Sequence, residues 1–413
     1  MHDTNDSDLI AGLDCGSHAI KCVVARVSED QHHRMIVGIG VTPSLGIDNN
    51  SMIVDLDLTS QSIRKAVSLA ENMAGGKIGA IRIGLSSKDI ESFSALGIIP
   101  IAGGEVMESD LEQLMDSTRN SRQVGRHLLH QLPKKFFLDK KEIKNPLGLS
   151  GHRLEGHFHV VTCQQSTFNH VLDAVLHAGL DVEDLRSSYV SASMALATAD
   201  GSGHSITCFI DLGHAATGVV LRKGTHVIHS ARLPMGGRHI TSDISQVFDL
   251  APSLAERVKT SFGRPDAGHH ASIGLEPGAP NIQAVLKILN DPRLSRVIGA
   301  RIEEIFFELK KMIHPQLTDG PMDCILLTGG GARMHLFQES AADIFATPVG
   351  RGSFSHPSPV VDLATRPELA AAVGLLDARQ NFNDWRLREG GQTEERKKTG
   401  FLRKAYFFLR ESV

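Results

Sequence analysis

The sequence predicts an α/β fold made twice over, its two copies facing each other across a cleft, and three stretches carry that prediction. Residues 9–27, LIAGLDCGSHAIKCVVARV, read as an apolar strand (Leu9, Ile10, Ala11, Leu13) that ends at Asp14. A small-residue turn (Cys15, Gly16, Ser17, His18) follows, then a second apolar strand through Ile20, Cys22, Val23 and Val24. Far downstream, residues 205–222, SITCFIDLGHAATGVVLR, repeat the pattern: apolar strand, Asp211, Gly213, small residues to Thr217 and Gly218, apolar strand. Third, residues 323–328 form an apolar strand running into Gly329, Gly330 and Gly331, a junction that allows flat approach of a base or ribose.

The turns themselves suggest a ligand. A glycine lets the backbone approach a bound group or adopt φ > 0. A hydroxyl (Ser17) and a carboxylate (Asp14) framing it suit a phosphate chain with its metal. One such turn is common in ordinary hairpins; the second copy is what argues for two tips meeting over one ligand.

Length and composition narrow the class. A chain of 413 residues can bury at least two cores. Its formal net charge of −4 supplies no basic field for nucleic acid. Cys15, Cys22, Cys163, Cys208 and Cys324 are scattered and form no C-x-x-C, so they read as reduced, buried residues. The first twelve residues lack a basic region followed by an apolar stretch, which speaks against a secretory signal, and no run of about 18 apolar residues suggests a span. The 21 histidines include no H-E-x-x-H, and the pairs His32–His33 and His269–His270 lie in polar sequence.

In chain order, residues 35–41 add a strand, and residues 58–73 a helix whose Ile63, Val67, Ala70 and Met73 keep the 3.6-residue period. Gly75-Gly76 stops it, and residues 78–85 close a β-β-β-α-β unit. Residues 86–163 differ in texture: a helix at 108–119, a lysine- and phenylalanine-rich piece (Lys134, Lys135, Phe136, Phe137, Lys140, Lys141, Lys144), then alternation over 153–161. Asp139 and Glu142 interrupt the lysines, so the stretch reads as a small α+β insert with a charged surface. Helices follow at 169–178 and 189–197 with a strand at 182–185 between them, and Gly201-Ser202-Gly203 breaks the chain. After the second hairpin, RLPMGGRHI (232–240) places Gly236 and Gly237 before a helix start. Residues 260–281 are loop-like, residues 282–311 two helices, and residues 367–376 a small-residue helix.

From about residue 380 the pattern dissolves into a polar linker (381–399). Residues 400–413, GFLRKAYFFLRESV, place Phe401, Leu402, Ala405, Tyr406, Phe408, Leu409 and Val413 on one helical arc, with Arg403, Lys404, Arg410 and Glu411 opposite. Such a helix either docks on its own domain or lies on a membrane surface; the linker and the basic edge favour an anionic membrane.

With these motifs in place the chain resembles the actin/Hsp70/sugar-kinase ATPase superfamily and, more narrowly, the FtsA family of bacterial cell-division proteins. GLDCGSHAIK, KNPLGLSG, HFHVVTC, LPMGGRHITSDI, LTGGGARM and the terminal helix carry the resemblance, KNPLGLSG most specifically. It implies an actin-like, two-lobed fold with duplicated RNase H-like domains and an FtsA-type insert. The first lobe would take residues 1–86, 164–200 and about 357–380. The insert would take 87–163, the second lobe 201–237 with 312–356, and its outer subdomain 238–311. The resemblance further implies ATP and Mg²⁺. Asp14, Gly16, Ser17 and Lys21 would form the first phosphate loop, and Asp211, Gly213 and Thr217 the second. Gly236 and Gly237 would lie near the nucleotide, Glu256 and Lys259 would flank the adenosine, and Gly329, Gly330 and Gly331 would receive the base. Asp14 and Asp211 would hold Mg²⁺ largely through water.

The implied role is a scaffold that polymerises with ATP bound and tethers the FtsZ ring to the inner face of the cytoplasmic membrane at the division site. The FtsZ C-terminal tail would contact the region around Arg301, Phe401–Leu409 would meet the lipid, and other division proteins would join. One departure stands out. His214 and Ala215 occupy positions of the second turn where such proteins usually place more glycine. Their Cβ atoms would restrict φ > 0 and approach to a terminal phosphate, which points to weak or no ATP hydrolysis. The rival reading is a sugar or small-acid kinase of the same superfamily, with Asp211 as the candidate catalytic base.

Overall fold

The fold comes from a computed structural model whose described residues are 9–28, 34–118, 124–197, 205–262, 282–318, 320–360, 362–363 and 366–377. The expected linker and terminal helix, including Phe401, Leu402, Arg403, Lys404, Tyr406, Phe408 and Leu409, lie outside these residues. Among the described residues no helix is long and apolar enough to cross a membrane.

The first half opens with β1 (Leu9–Cys15), β2 (Ala19–Val27) and β3 (Arg34–Pro43), an antiparallel meander. Helix α1 (Leu56–Ala74) starts where the Asp55 side chain accepts from the Leu58 amide and stops at Gly75, which is left-handed at φ 70°. It lays Ile63, Ala66, Val67 and Ala70 on the sheet. Gly38 and Gly40 of β3 permit the contact, since a Cβ at either would run into the α1 backbone at Ala70 or Ala66. β4 (Ala80–Leu85) then pairs parallel to β1.

The insert has a sheet of its own, built from β5 (Glu91–Pro100), α2 (Glu108–Ser117), β6 (Arg126–Leu138), β7 (Lys141–Ile143) and β8 (Arg153–Gln164), in strand order β5-β8-β6-β7. Its separate core includes Ala95, Ile99, Leu111, Leu114 and Phe158. The chain returns through α3 (Gln165–His177) to β9 (Asp181–Ser187), which completes the first sheet beside β4, and to α4 (Ser188–Ala195).

The second half runs β10 (Ile206–Leu212), β11 (Thr217–Lys223), β12 (His226–Leu233), α5 (Gly237–Phe248), α6 (Pro252–Ser261), α7 (Ile282–Leu289), α8 (Pro292–Ile313), β13 (Cys324–Thr328), α9 (His335–Phe345) and β14 (Val349–Arg351), after which α10 (Ala370–Gly374) returns to the first sheet. Its sheet order is β12-β11-β10-β13-β14, against β3-β2-β1-β4-β9 in the first half. Read strand for strand the two orders are identical. The duplication suggested by two hairpins therefore extends through both five-stranded sheets.

The halves meet at α4, which α10 covers from the first-sheet side. Gly374 lies so close that a Cβ there would overlap the Ser191 carbonyl. α4 touches β4 and β9 of the first sheet and β10 and β11 of the second. The insert reaches the second half as well: β12 touches β5, β6 and β8, the Ser92 hydroxyl donates to the Ser230 carbonyl, and His159 Nε2 lies 2.7 Å from Ser230 Oγ.

Candidate functional site

Register places the two carboxylates at equivalent positions. Asp14 sits opposite Lys21 on the antiparallel side and Gly84 on the parallel side; Asp211 sits opposite Gly218 and Thr328. Both hairpin tips, with Gly329–Gly331, Gly237, Glu256 and Lys259, line one cavity of about 890 Å³ between the halves. That volume lies in the range of small-molecule and cofactor sites.

The first tip is internally satisfied. Asp14 is only 5% exposed, and a buried carboxylate is tolerated when paired and hydrogen-bonded. Lys21 Nζ donates to its Oδ2 at 2.6 Å and Ser188 Oγ to its Oδ1 at 2.7 Å. Burial works against the Lys21 ammonium, but the Asp14 charge and hydrogen bond outweigh it and raise the Lys21 pKa.

The second tip has no such partner. The residue opposite Asp211 must be glycine, because a Cβ at Gly218 would overlap the Tyr189 side chain at the start of α4. Among the described residues Asp211 makes no ion pair. Burial, and then the charge of Asp14, push its carboxyl up to about 6, with Lys21 pulling the other way. The two equivalent carboxylates therefore differ: Asp14 is paired, and among the described residues Asp211 is not.

Glycine serves space here more than backbone freedom. Gly16 and Gly213 do not take positive φ, and neither do His214 and Ala215. A Cβ on Gly213 would sit 2.7 Å from the Ala216 carbonyl oxygen, and one on Gly16 3.1 Å from that of Ala19. At His214 and Ala215 the turn asks for no positive φ, so the backbone there is one that any L-residue adopts. Gly329 is the exception, at φ 80°, where a Cβ would overlap Asp211 Oδ1. A Cβ on Gly331 would press on the Leu212 side chain at 2.7 Å, while one on Gly330 would meet nothing within 4 Å. Gly330 thus presents open backbone to the cleft.

On the far wall α5 and α6 clasp each other. Lys259 Nζ donates to Glu256 Oε2 at 2.7 Å, to Thr241 Oγ1 at 3.0 Å and to the Gly237 carbonyl at 3.1 Å. Burial lowers the Lys259 pKa, only partly offset by Glu256. Burial opposes the charge on Glu256 too, but Lys259 and Thr241 prevail and lower its pKa.

Two expected residues stand behind the wall. Thr217 is fully buried and donates to the Met235 carbonyl at 2.8 Å. Gly236 lets α5 begin against the second tip, since a Cβ there would sit 2.7 Å from the carbonyls of Gly213 and His214. Both shape the site without facing the cleft.

The insert, the paired sheets and the cleft between them now meet the sequence comparisons. The family model described as "SHS2 domain inserted in FTSA" matches residues 87–162, and that described as "Cell division protein FtsA" matches residues 208–374. The chain belongs to the FtsA family. The cell division protein FtsA of Escherichia coli (strain K12) is 28% identical over 386 residues, 91% of each chain. That of Pseudomonas aeruginosa is 28% identical over 383 residues, 91% of this chain and 90% of the relative. The fold is actin-like and two-lobed. Among solved structures, the PilM–PilN type IV pilus biogenesis complex shares it with a TM-score of 0.64 at 17% identity, covering 89% of this chain and 97% of that one.

The sequence did not single out Ser188, Thr241 or His18. Ser188, which begins α4, binds Asp14; its only signal is that it directly follows a strand end. Thr241 binds Glu256 and Lys259 from one turn into α5. His18 and His214, the side chains at the two tips, are in ring contact with centroids 4.9 Å apart. Arg301 is on α8, away from the cleft. There its Nε and Nη2 donate to Asp243 at 2.6 and 2.8 Å and its Nη1 to Glu304 at 2.6 Å. The hydrogen bond to Asp243 raises its pKa.

Proposed function

We propose that this FtsA-family chain binds ATP with Mg²⁺ in the cleft between its lobes, assembles head to tail, and tethers the FtsZ ring to the inner face of the cytoplasmic membrane at the division site. One observation carries the reading: equivalent carboxylates from two matched hairpins line a single cavity whose floor is the open glycine backbone at Gly330. The donor set fits a hard cation, since Asp211 is an unpaired carboxylate beside Asp14 and Mg²⁺ prefers oxygen ligands with several retained waters. In this reading Gly16, Ser17, Lys21 and Gly213 hold phosphates. Glu256 and Lys259 flank the adenosine, and Gly329–Gly331 take the base. Bound Mg²⁺ would neutralise the phosphate chain; Asp14 and Asp211 would orient its waters.

Residues 1–86, 164–200 and about 357–380 would act as one lobe, with 87–163 as the insert. Residues 201–237 and 312–356 would act as the other, with 238–311 as its outer subdomain, and 381–399 as the tether to a membrane helix at 400–413. The FtsZ C-terminal tail would contact the region around Arg301, whose guanidinium Asp243 and Glu304 hold in the free chain. A short interfacial helix binds reversibly, and assembly multiplies the tethers. Two measurements test this. The full chain binds adenine nucleotide, and Asp14→Ala with Asp211→Ala abolishes that. The full chain co-sediments with anionic vesicles, and a chain ending at Lys398 stays in solution; equal pelleting of the two ends the tether reading.

A further inference from the structure

The contact between the two tips is made by a pair of histidines. His18 stands on the first hairpin and His214 on the second, and their rings lie 4.9 Å apart, tilted by 37°. Each is held from behind. The His18 carbonyl accepts from the Ser44 amide at 3.1 Å, just past β3. The His214 carbonyl accepts from the Arg238 amide at 2.9 Å, in the first turn of α5, and the Gly213 carbonyl from the Gly237 amide at 2.9 Å. The backbone that carries each ring is therefore tied to its own lobe. Both histidines lie in the same cavity wall as the glycine turns.

We propose that His18 and His214 are a two-sided reader of the terminal phosphate of a nucleoside triphosphate, one imidazole supplied by each lobe. The proposal rests on the nucleotide reading above and goes beyond it, because it assigns which phosphate the tips distinguish. A proton on His214, beside a second imidazole and Lys259, is favoured when an anion lies against the ring, since like charges at that separation repel. The groups facing His214 are His18 from the other lobe, Lys259 and Glu256 from α6, and Arg238 from α5. Glu256 is already committed to Lys259 and Thr241. Burial first, then His18 and Lys259, hold His214 down to about 4, with Glu256 opposing and Arg238 adding, so it is neutral at neutral pH. A terminal phosphate reverses that balance. His214 takes one proton from solvent and donates a charge-assisted hydrogen bond to a phosphate oxygen, while His18 donates to the same group from the opposite side. Nothing is transferred to the nucleotide. A diphosphate ends before reaching the pair and leaves the rings in contact.

The test is calorimetric titration of the full chain with MgATP and with MgADP, near pH 7, in two buffers of different ionisation enthalpy. The wild type takes up more protons with ATP than with ADP. In His214→Gln that excess disappears and the preference for ATP over ADP falls about tenfold, the scale of one charge-assisted hydrogen bond. His18→Gln, a change on an exposed tip that leaves folding undisturbed, lowers the same preference. Proton uptake intrinsic to the nucleotide is common to all variants and cancels in the comparison. Nucleotide binding with an unchanged ATP-specific proton excess in His214→Gln overturns the reader and leaves the cleft reading standing. Failure of the wild type to bind either nucleotide removes both.

Discussion

The two five-stranded sheets share a strand order, yet the carboxylates at their equivalent hairpin ends live in opposite circumstances. Asp14 has Lys21 across the hairpin and Ser188 behind it. Asp211 has Gly218 in the place of the lysine because Tyr189 fills the space a side chain would need. The crossing of α4 thus decides the difference: one helix start supplies the Ser188 hydroxyl to the first tip and leaves no room at the second for a side chain opposite Asp211. Duplication built the frame twice, and a single unduplicated contact made one carboxylate structural and the other available. A paired first tip and a costly unpaired second tip are what the proposed Mg²⁺ reading asks of the two carboxylates.

The sharpest way to break that comparison is to neutralise each carboxylate in turn. Asp14→Asn strands Lys21 with its side chain mostly buried, and we expect a loss of about 2–4 kcal/mol of folding stability, read by denaturant titration at neutral pH. Asp211→Asn moves the other way. Its pKa is raised from the ordinary carboxylate value to about 6, so ionised Asp211 favours the unfolded chain. Its contribution to stability is fully present below pH about 4 and lost as pH rises through about 6. The variant is therefore expected to be more stable than wild type by about 1–3 kcal/mol above pH 7, with the gap closing towards pH 4, and to lose Mg²⁺-dependent nucleotide binding. Destabilisation by both substitutions would show that the tips are energetically alike.

The sequence carried the frame because its signals are local and periodic. The hairpins, the α1 period with its Gly75 stop, and the glycine run after β13 are all legible as residue patterns. β6 was not, because Pro133 and register shifts at Leu128/His130 and Pro133/Lys135 break the alternation that would mark a strand. β12, HVIHSARL, escaped for a related reason: its outward histidines and serine read as a polar loop, whereas the fold buries Ser230 against the insert. At the cleft, the repeated hairpin pattern pointed to Asp14 and Asp211 and the family resemblance to Lys21, Glu256 and Lys259, and all five line one cavity. Neither could separate wall from support, because Thr217 and Gly236 are one or two residues from cleft-lining ones and differ only in which way they face. Ser188 was invisible for the opposite reason, since its partner is far away in the chain.

The outer strands sharpen the comparison further. β3 ends its sheet against α1, while β12 ends its sheet against the insert through a neutral histidine seam. His159 is held well below its ordinary pKa by burial first, and then by His229, Lys134 and His130; His229 is pushed down to about 4 by burial and then Lys134. A depressed histidine contributes stability above its unfolded pKa near 6.5 and loses it as pH falls towards the folded value. The opening free energy of β12 and β8, read from hydrogen-exchange protection factors, is expected to fall by about 1–2 kcal/mol between pH about 6.5 and 5, while that of β3 holds. An equal fall in β3 would place the acid-sensitive element elsewhere.

The smallest effect asks how much of the first tip's security comes from Ser188. Ser188→Ala leaves Asp14 Oδ1 without its donor while Lys21 still holds Oδ2, so the expected loss is about 1 kcal/mol, the net worth of one hydrogen bond to a charged group discounted by the remaining pair. In Asp14→Asn the same serine faces an amide, and the change should cost less than in wild type. A double-mutant cycle in folding stability reads this directly: a coupling of several tenths of a kcal/mol places Ser188 in the Asp14 network, whereas strict additivity would mean that α4 sets the second tip alone, through Tyr189 and Gly218.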